Sequence, residues 1–174
     1  MSAIRRAGVC GWPVAHSRSP LIHGYWLARY HLEGAYERFA VPPLGFADFA
    51  ASIGVDGLLG ANVTVPHKEA AFAACDRLTG SARATGAVNT LWREGGALWG
   101  DNTDVAGFLA TLDAEAPGWR DRVDAGTIAV GCALGYLDFR FASLAWREKC
   151  PNMAVWSEQF AKRDSMVATR PPPA

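Results

Sequence analysis

The sequence predicts an α/β fold, in which helices cover both faces of a mostly parallel mixed sheet in a three-layer α/β/α arrangement. Short apolar runs that end in Gly or Pro alternate with longer segments whose apolar residues recur at helical spacing. This alternation is typical of strands joined by crossover helices. Half of the 174 residues are hydrophobic and 20% are charged, a composition that favours a packed core over disorder.

The first half of the pattern contains three predicted strands and two predicted helices. The apolar run from Ala7 to Gly11 predicts a strand, because Trp and Pro follow it. Ser19 and Pro20 then begin a helix that extends to Tyr30, with Ser19 as its N-cap. The other elements of this half are a strand at 35–41 that two prolines end, a helix at 46–53 and a strand at 57–63.

The second half continues the alternation and then changes character. It contains a helix at 69–75, two strands at 87–92 and 97–99 joined by a Gly-Gly turn, and a helix at 103–114. Three regions are expected: a domain at 1–115, a hinge at 116–130 and an atypical tail at 131–174. The hinge region includes a strand at 127–130 that begins another domain, and the tail is expected to be irregular or poorly ordered.

Charge and cysteine usage exclude several classes of function. Lys plus Arg equals Asp plus Glu at 17 each, and this balance argues against nucleic acid or an anionic membrane as the main partner. The four cysteines form no Cys-x-x-Cys pair, so reduced thiols and no metal site are expected. No signal peptide or membrane-spanning run is evident. We therefore expect a soluble cytoplasmic protein.

Two hydroxyls at a helix start form the first candidate site. Ser17 and Ser19 lie one residue apart where the predicted helix begins. A helix N-terminus offers free N–H groups and partial positive charge, so this pair could bind an anion. The alternative is that Ser19 only caps the helix and Ser17 is solvated.

A second candidate site follows the strand at 57–63. Asn62 and Thr64 occupy alternate positions, so their side chains point the same way. Lys68 is the single Lys among the first 130 residues, which contain ten Arg. Lys differs from Arg because its ammonium can lose a proton and act as acid or base. The alternative is an exposed Lys that opens a helix, and the adjacent His67 is interpreted as structural.

Two further polar residues complete the set. Asn89 lies in an otherwise apolar predicted strand, where its amide needs a partner from either a ligand or a neighbouring loop. Asp104 lies in the first turn of a predicted helix, which by itself is favourable. It could instead pair with Lys68 across a cleft, since each group would then shift the proton affinity of the other. Spacing leaves both interpretations open.

Taken together, these segments resemble the shikimate dehydrogenase family. The motifs Ser-x-Ser-Pro, Asn-Val-Thr-Val-Pro-His-Lys, Gly-Ala-Val-Asn-Thr and Gly-x-Asn-Thr-Asp-x-x-Gly occur in this order within residues 7–130. The resemblance implies NADPH-dependent, reversible reduction of 3-dehydroshikimate to shikimate, a step toward chorismate and the aromatic amino acids. It implies that Lys68 is the acid/base residue and that Asp104 is its partner. The implied substrate-binding residues are Ser17, Ser19, Asn62, Thr64, Lys68, Asn89 and Asp104.

The resemblance ends after about residue 130. Members of the family continue there with a Gly-x-Gly-x-x-Gly/Ala turn that holds the pyrophosphate of the cofactor. The chain instead continues Gly131-Cys132-Ala133-Leu134-Gly135-Tyr136. The Rossmann domain is therefore expected to be absent, truncated or replaced, with no cofactor-binding residue in this chain and no activity by the chain alone. The alternatives are a non-catalytic remnant or shikimate-binding module, and a quinate or aminoshikimate paralogue. Self-association through an exposed apolar patch is also expected.

Overall fold

The structure, a computed structural model, describes residues 4–140 and 145–169. The chain divides into two units, residues 1–105 and residues 106–174. The first unit contains the sheet and the second contains helices. The helix that begins at Asp104 includes residues on both sides of this division, and the domain at 1–115 stays a prediction.

Six strands of the first unit form one mixed sheet in the order β2-β1-β3-β5-β6-β4. The strand β1 pairs in parallel with β2 and β3, and β4 pairs in parallel with β6. The pairs β3–β5 and β5–β6 are antiparallel. The strands are β1 (Arg6–Gly11), β2 (Ala35–Ala40), β3 (Leu58–Val63), β4 (Arg77–Leu78), β5 (Thr90–Glu94) and β6 (Ala97–Asp101).

Four α-helices connect these strands. They are α1 (Ser19–Arg29), α2 (Phe46–Ser52), α3 (Lys68–Ala74) and α4 (Gly80–Thr85), and a 3-10 turn at Pro43–Gly45 precedes α2. From β1 the chain moves to β2 through α1, and it then returns past β1 to β3 through α2. Right-handed crossovers in opposite directions place the two helices on opposite faces of the sheet. The predicted α/β class with a mixed sheet is confirmed.

The apolar core of the first unit lies between the sheet and the helices α2, α3 and α4. Ile53, Ala71, Ala82, Val88 and Leu91 have almost no exposed surface. The helix α1 has no buried residue. The two faces of the sheet are therefore covered unequally, and α1 leaves apolar side chains in solvent.

The register of the sheet brings polar residues to one edge. Because β1, β2 and β3 are parallel, their carboxyl ends lie at the same edge, and the antiparallel β5 begins there. Asn62 pairs with Thr90, and Thr90 pairs with Asp101 on β6. This edge therefore collects the polar residues that follow β3 and precede β5.

The sequence missed or misplaced several details of the first unit. The short β4 and α4 were not predicted, because the segment 77–85 is small, polar and without a clear apolar period. The strand at 87–92 begins later, at Thr90. Ser19 was predicted as the N-cap of α1, but it is the first helical residue and Arg18 is the N-cap, with no side-chain capping bond.

The strand predicted at 127–130 is wrong, because these residues lie in a helix. The helix α5 (Asp104–Glu115) is followed by a 3-10 turn at Ala116–Gly118 and by α6 (Ala125–Arg140). The backbone N–H of Thr127 donates to Asp124 Oδ1 at 2.9 Å, and the N–H of Asp124 donates to Thr127 Oγ1 at 3.0 Å. This reciprocal pair satisfies N–H groups at the helix start. It outweighs the strand preference of Thr, Ile and Val.

The expectation of an irregular tail is also wrong for the described residues. They form α7 (Trp146–Lys149), α8 (Pro151–Phe160) and α9 (Asp164–Ala168). Met153, Trp156 and Phe160 recur at helical spacing along α8 and are buried. This spacing is typical of a helix with one buried face. Their cluster includes Leu134 of α6 and Trp146 of α7. The tail thus packs in an apolar cluster that also includes Ala116 and, at its border, Leu109, Leu112, Trp119 and Val130.

Candidate active site

A short polar contact at the sheet edge joins the two residues predicted to pair. Lys68 Nζ donates to Asp104 Oδ2 at 2.5 Å. Lys68 is the first residue of α3 and Asp104 is the first residue of α5, so both charges sit at helix starts that flank the edge. Their side chains are 34% and 54% exposed. The pair is therefore accessible to a small molecule rather than sealed in the core.

The carboxyl of Asp104 is held in its ionised form. The hydrogen bond from Lys68 is the main cause that holds the pKa of Asp104 below its ordinary value of 3.8. Burial opposes this shift, and a hydrogen bond from Asn89 and the charge of Lys68 add to it. At neutral pH the carboxylate therefore accepts hydrogen bonds and cannot donate one.

Replacing Asp104 with Asn should make the protein less stable near neutral pH, and the deficit should shrink in acid. A carboxyl whose folded-state pKa lies below its unfolded value stabilises the fold above the unfolded pKa. That contribution is lost as the pH falls through the folded value, below 3.8. Because Asp104 is half exposed, we expect a difference of about 1 kcal/mol or less. Urea denaturation at neutral pH and below about pH 3 measures it, with Asp121→Asn as an exposed control. An Asp104→Asn deficit that did not shrink in acid would contradict this assignment.

Asn89 lies directly beside the pair. Its Nδ2 donates to Asp104 Oδ1 at 2.8 Å and to Thr103 Oγ1 at 3.0 Å. Its Oδ1 accepts from the backbone N–H of Thr103 at 3.0 Å and from Thr90 Oγ1 at 3.0 Å. Asn89 is only 8% exposed, and its amide makes hydrogen bonds with Thr90, Thr103 and Asp104. It thus holds the carboxylate of Asp104 in place.

Asn62 and Thr64 occupy the end of β3 as predicted, with different partners. Asn62 Oδ1 accepts from the Tyr36 hydroxyl at 2.6 Å, and its Nδ2 donates to Thr90 Oγ1 at 3.3 Å. The Thr64 hydroxyl has no hydrogen bond within the described part of the chain, so it is available to a ligand. Gly11 keeps space for Thr64, because a Cβ on Gly11 would lie 2.5 Å from Thr64 Cγ2.

The two serines before α1 contact each other. Ser17 Oγ lies 3.2 Å from Ser19 Oγ and accepts from the backbone N–H of Ser19 at 3.3 Å. The Arg38 guanidinium donates twice to the Ser17 carbonyl oxygen, at 2.6 and 2.9 Å. The hydroxyls are half-buried at the start of a helix, and the Arg38 guanidinium contacts the backbone of Ser17 beside them. This arrangement suits a carboxylate.

His67 has the structural role that the sequence suggested. It is 1% exposed, its Nε2 donates to the Val41 carbonyl oxygen at 2.7 Å, and its ring stacks on Phe46. Because a carbonyl oxygen only accepts, Nε2 carries the proton. His67 anchors the residue immediately before Lys68 and does not face the pair.

Asn102 has a positioning role that the sequence did not indicate. Its Nδ2 donates to Thr85 Oγ1 and to the Ala87 carbonyl oxygen, both at 3.1 Å. Its Oδ1 accepts from the backbone N–H of Asp104 at 3.1 Å. At 5% exposure this amide ties the start of α5 to the segment before β5. The run Asp-Asn-Thr-Asp marks a polar loop, but it does not show which member faces inward.

The described part of the chain contains no candidate membrane span and no candidate metal site. None of its helices is both long and apolar enough to cross a bilayer. No group of three or more His, Cys, Asp or Glu within 4–140 and 145–169 is arranged to hold a metal ion.

The chain is similar to one protein family over the region that holds these residues. Residues 9–91 match the family model described as the shikimate dehydrogenase substrate binding domain. A shikimate dehydrogenase (NADP(+)) of Brucella abortus is 56% identical over 124 residues, which cover 71% of this chain and 43% of the relative. One from Methylocella silvestris is 57% identical over 118 residues, covering 68% and 42%.

Solved structures agree with the sequence relatives. A shikimate 5-dehydrogenase of Thermus thermophilus, in complex with NADP(H) and shikimate, matches with a TM-score of 0.60 and 40% identity, covering 64% of this chain and 42% of that chain. A ligand-free 5-ketofructose reductase of Gluconobacter matches with a TM-score of 0.61 and 30% identity, covering 66% and 41%. The chain thus spans less than half the length of the relatives it matches. The N-terminal part of the chain, at residues 9–91, matches the substrate-binding domain of the shikimate dehydrogenase family.

Proposed function

We propose that residues 1–115 are a shikimate-binding catalytic domain that acts, with a nucleotide-binding domain, in the reversible NADPH-dependent reduction of 3-dehydroshikimate to shikimate. The observation that carries the proposal is the accessible Lys68–Asp104 pair, held by Asn89 at the carboxyl edge of the sheet. Ligands of open α/β sheets bind outside the carboxyl ends of the strands. Relatives of this chain carry that activity in their names.

The chemistry assigned to the pair is a proton transfer. NADPH, when bound, supplies the hydride that reduces the ketone carbon. Lys68 donates a proton to the ketone oxygen as the hydroxyl forms, and it takes the proton back in the reverse direction. Asp104 orients the ammonium through its 2.5 Å hydrogen bond. The substrate oxygen must lie within hydrogen-bond reach of Nζ, which the 34% exposure of Lys68 allows.

The remaining residues fix the substrate relative to Lys68. Ser17 and Ser19 are assigned the carboxylate, and Asn62, Thr64 and Asn89 are assigned the ring hydroxyls. A polyhydroxylated acid needs an anion site and several directional hydrogen bonds to present one face to the cofactor. The free hydroxyl of Thr64 and the paired serine hydroxyls support this assignment.

Shikimate binding tests the proposal directly. Calorimetric titration of the 174-residue chain should show saturable binding of shikimate, with quinate and aminoshikimate as competitors that test the paralogue alternative. Binding that is absent for all three acids would refute the proposed function.

Replacing Ser17 and Ser19 together with Ala should weaken shikimate binding strongly. Hydrogen bonds to a charged group contribute about 1.5 to 3 kcal/mol each, so the loss of affinity is expected to lie between about a hundredfold and about twenty-thousandfold. Calorimetry compares the double variant with Ser52→Ala, which removes a hydroxyl from α2. Unfolding must be measured alongside, because Ser17 also accepts a backbone bond of α1. Equal affinity in a folded double variant would place the carboxylate elsewhere.

A second candidate is a shikimate-binding module without catalysis, which an observation in the second unit favours. Gly131, where the family pattern has its Gly-rich turn, lies inside α6. A Cβ on Gly131 would lie 2.7 Å from ring atoms of Phe160, so this glycine serves close helix packing. The described residues therefore do not fit the pyrophosphate of a dinucleotide, and no step through NADP is assigned to them.

Self-association through α1 is part of the proposal. Leu21, Tyr25 and Tyr30 are 70%, 63% and 68% exposed, and apolar surface of this kind favours association with a second copy. Sedimentation should show concentration-dependent dimers that Leu21→Ser with Tyr25→Ser abolishes, and a monomer at all concentrations would contradict self-association.

A cytoplasmic location is also proposed, and it is supported by the four free cysteines, since reduced thiols persist in reducing compartments.

A further inference from the structure

A row of hydrogen bonds runs across the sheet edge from β2 toward Asp104. The Tyr36 hydroxyl donates to Asn62 Oδ1 at 2.6 Å, and Asn62 Nδ2 donates to Thr90 Oγ1 at 3.3 Å. Thr90 Oγ1 donates to Asn89 Oδ1 at 3.0 Å, and Asn89 Nδ2 donates to Asp104 Oδ1 at 2.8 Å. All four bonds donate in the same direction, away from β2.

The direction of the row is fixed at its Asp104 end. An ionised carboxylate only accepts, so the Asn89 amide must turn its NH2 group toward Asp104. The backbone N–H of Thr103 donates to Asn89 Oδ1 and fixes the same orientation independently. Thr90 must then donate to Asn89 and accept from Asn62. The oxygen of the Asn62 amide is thereby left facing β2, where it requires a donor.

Tyr36 is that donor, and its surroundings hold it there. Its ring stacks on His23 at 3.9 Å between centroids with an interplanar angle of 7°, and His23 Nδ1 donates to the Ser19 carbonyl oxygen at 2.9 Å. Burial raises the pKa of Tyr36 to about 12, against an opposing hydrogen bond with the Ser19 side chain. The phenol therefore stays protonated at neutral pH and keeps its proton for Asn62.

We propose that Tyr36 is a positioning residue that orients the amide of Asn62 and joins the two-serine anion site to the Lys68–Asp104 pair. Its hydroxyl donates to Asn62 on one side, and on the other its ring stacks on His23, which donates to the Ser19 carbonyl oxygen. The row of hydrogen bonds thereby fixes the residues that bind the carboxylate of the acid relative to the residues that bind its hydroxyls. The part of this inference that concerns the ligand rests on the proposed function, and the part that concerns the amides does not.

Side-chain amide NMR tests the row without any ligand. The chain has four Asn and one Gln, so five side-chain NH2 pairs are expected in a nitrogen–proton correlation spectrum. Tyr36→Phe keeps the ring and removes only the hydroxyl. We expect it to shift the Asn62 pair and speed its exchange with water, to move the Asn89 pair less, and to leave Asn102, Asn152 and Gln159 unchanged. Tyr30→Phe, on the exposed end of α1, should move none of the five.

Thr90 variants and shikimate binding complete the test. Thr90→Val breaks the row in its middle and should displace both Asn62 and Asn89 signals, whereas Thr90→Ser keeps the hydroxyl and should restore them.

Tyr36→Phe should weaken shikimate binding about fivefold, the effect of one ordinary hydrogen bond. The double variant Tyr36→Phe with Thr90→Val should lose less binding free energy than the sum of the losses in the two single variants, because both changes act on the same row. Unchanged Asn62 and Asn89 signals in Tyr36→Phe would overturn the proposal. If shikimate binds none of the proteins, the proposed function fails and the amide signals still decide the role of Tyr36.

Discussion

Replacing Lys68 with Ala should lower turnover by about two to four orders of magnitude and change substrate affinity far less. The measurement uses residues 1–124 joined to the nucleotide-binding domain of a full-length relative. General acid–base catalysis contributes about a hundredfold to ten-thousandfold, and a proton transferred in the transition state affects kcat more than ground-state binding. Lys68 is assigned this role because its ammonium lies 2.5 Å from Asp104 at the open edge of the sheet.

Two further variants separate proton transfer from charge and from folding. Lys68→Arg keeps a cation that can pair with Asp104, but a guanidinium does not release its proton in this range, so turnover should remain low. Glu69→Ala, at the next position of α3, should leave turnover unchanged. Steady-state kinetics give kcat and KM for each. Turnover of Lys68→Ala within about threefold of the parent would remove Lys68 from the catalytic role.

The sequence predicted candidate residues for this site but not how they are held. Asn62 was noted at the end of a strand, Asn89 within one and Asp104 in a first helical turn. The structure places all three in one hydrogen-bonded row with Lys68. Tyr36 escaped notice because it lies on β2, 26 residues before its partner Asn62. Only the parallel pairing of β2, β1 and β3 brings the two together, and sequence spacing does not show that pairing.

The secondary structure of the second unit was poorly predicted because the intrinsic strand propensity of its residues pointed to the wrong element. Thr127, Ile128 and Val130 favour a strand by side-chain shape, yet the reciprocal bonds between Asp124 and Thr127 begin a helix there. The helical spacing of the buried residues of α8 is present in the sequence, although an irregular tail was expected there. Local propensity is a weak guide where capping and tertiary packing both oppose it.

The 174-residue chain by itself should show neither saturable binding of NADPH nor oxidation of shikimate. A dinucleotide is normally held where a strand ends in a Gly-rich turn and a helix N-terminus meets the pyrophosphate. In this chain Gly131 stands where the Gly-rich turn would begin, but it lies within the helix α6 and packs against Phe160. Titration of NADPH followed by its fluorescence, with a full-length relative as positive control, measures the binding.

The basic residues of the second unit do not substitute for such a turn. Arg147 is paired with Asp138 at 2.6 Å and lies 3.9 Å from Glu158, and the guanidinium of Arg163 lies over the Phe160 ring at 5.6 Å. Both guanidinium groups therefore already contact side chains of this unit. Exposed cations without a shaped pocket attract phosphate weakly, and salt screens that attraction. Saturable NADPH binding tighter than about millimolar in physiological salt would contradict this prediction and assign a nucleotide site to the helical unit.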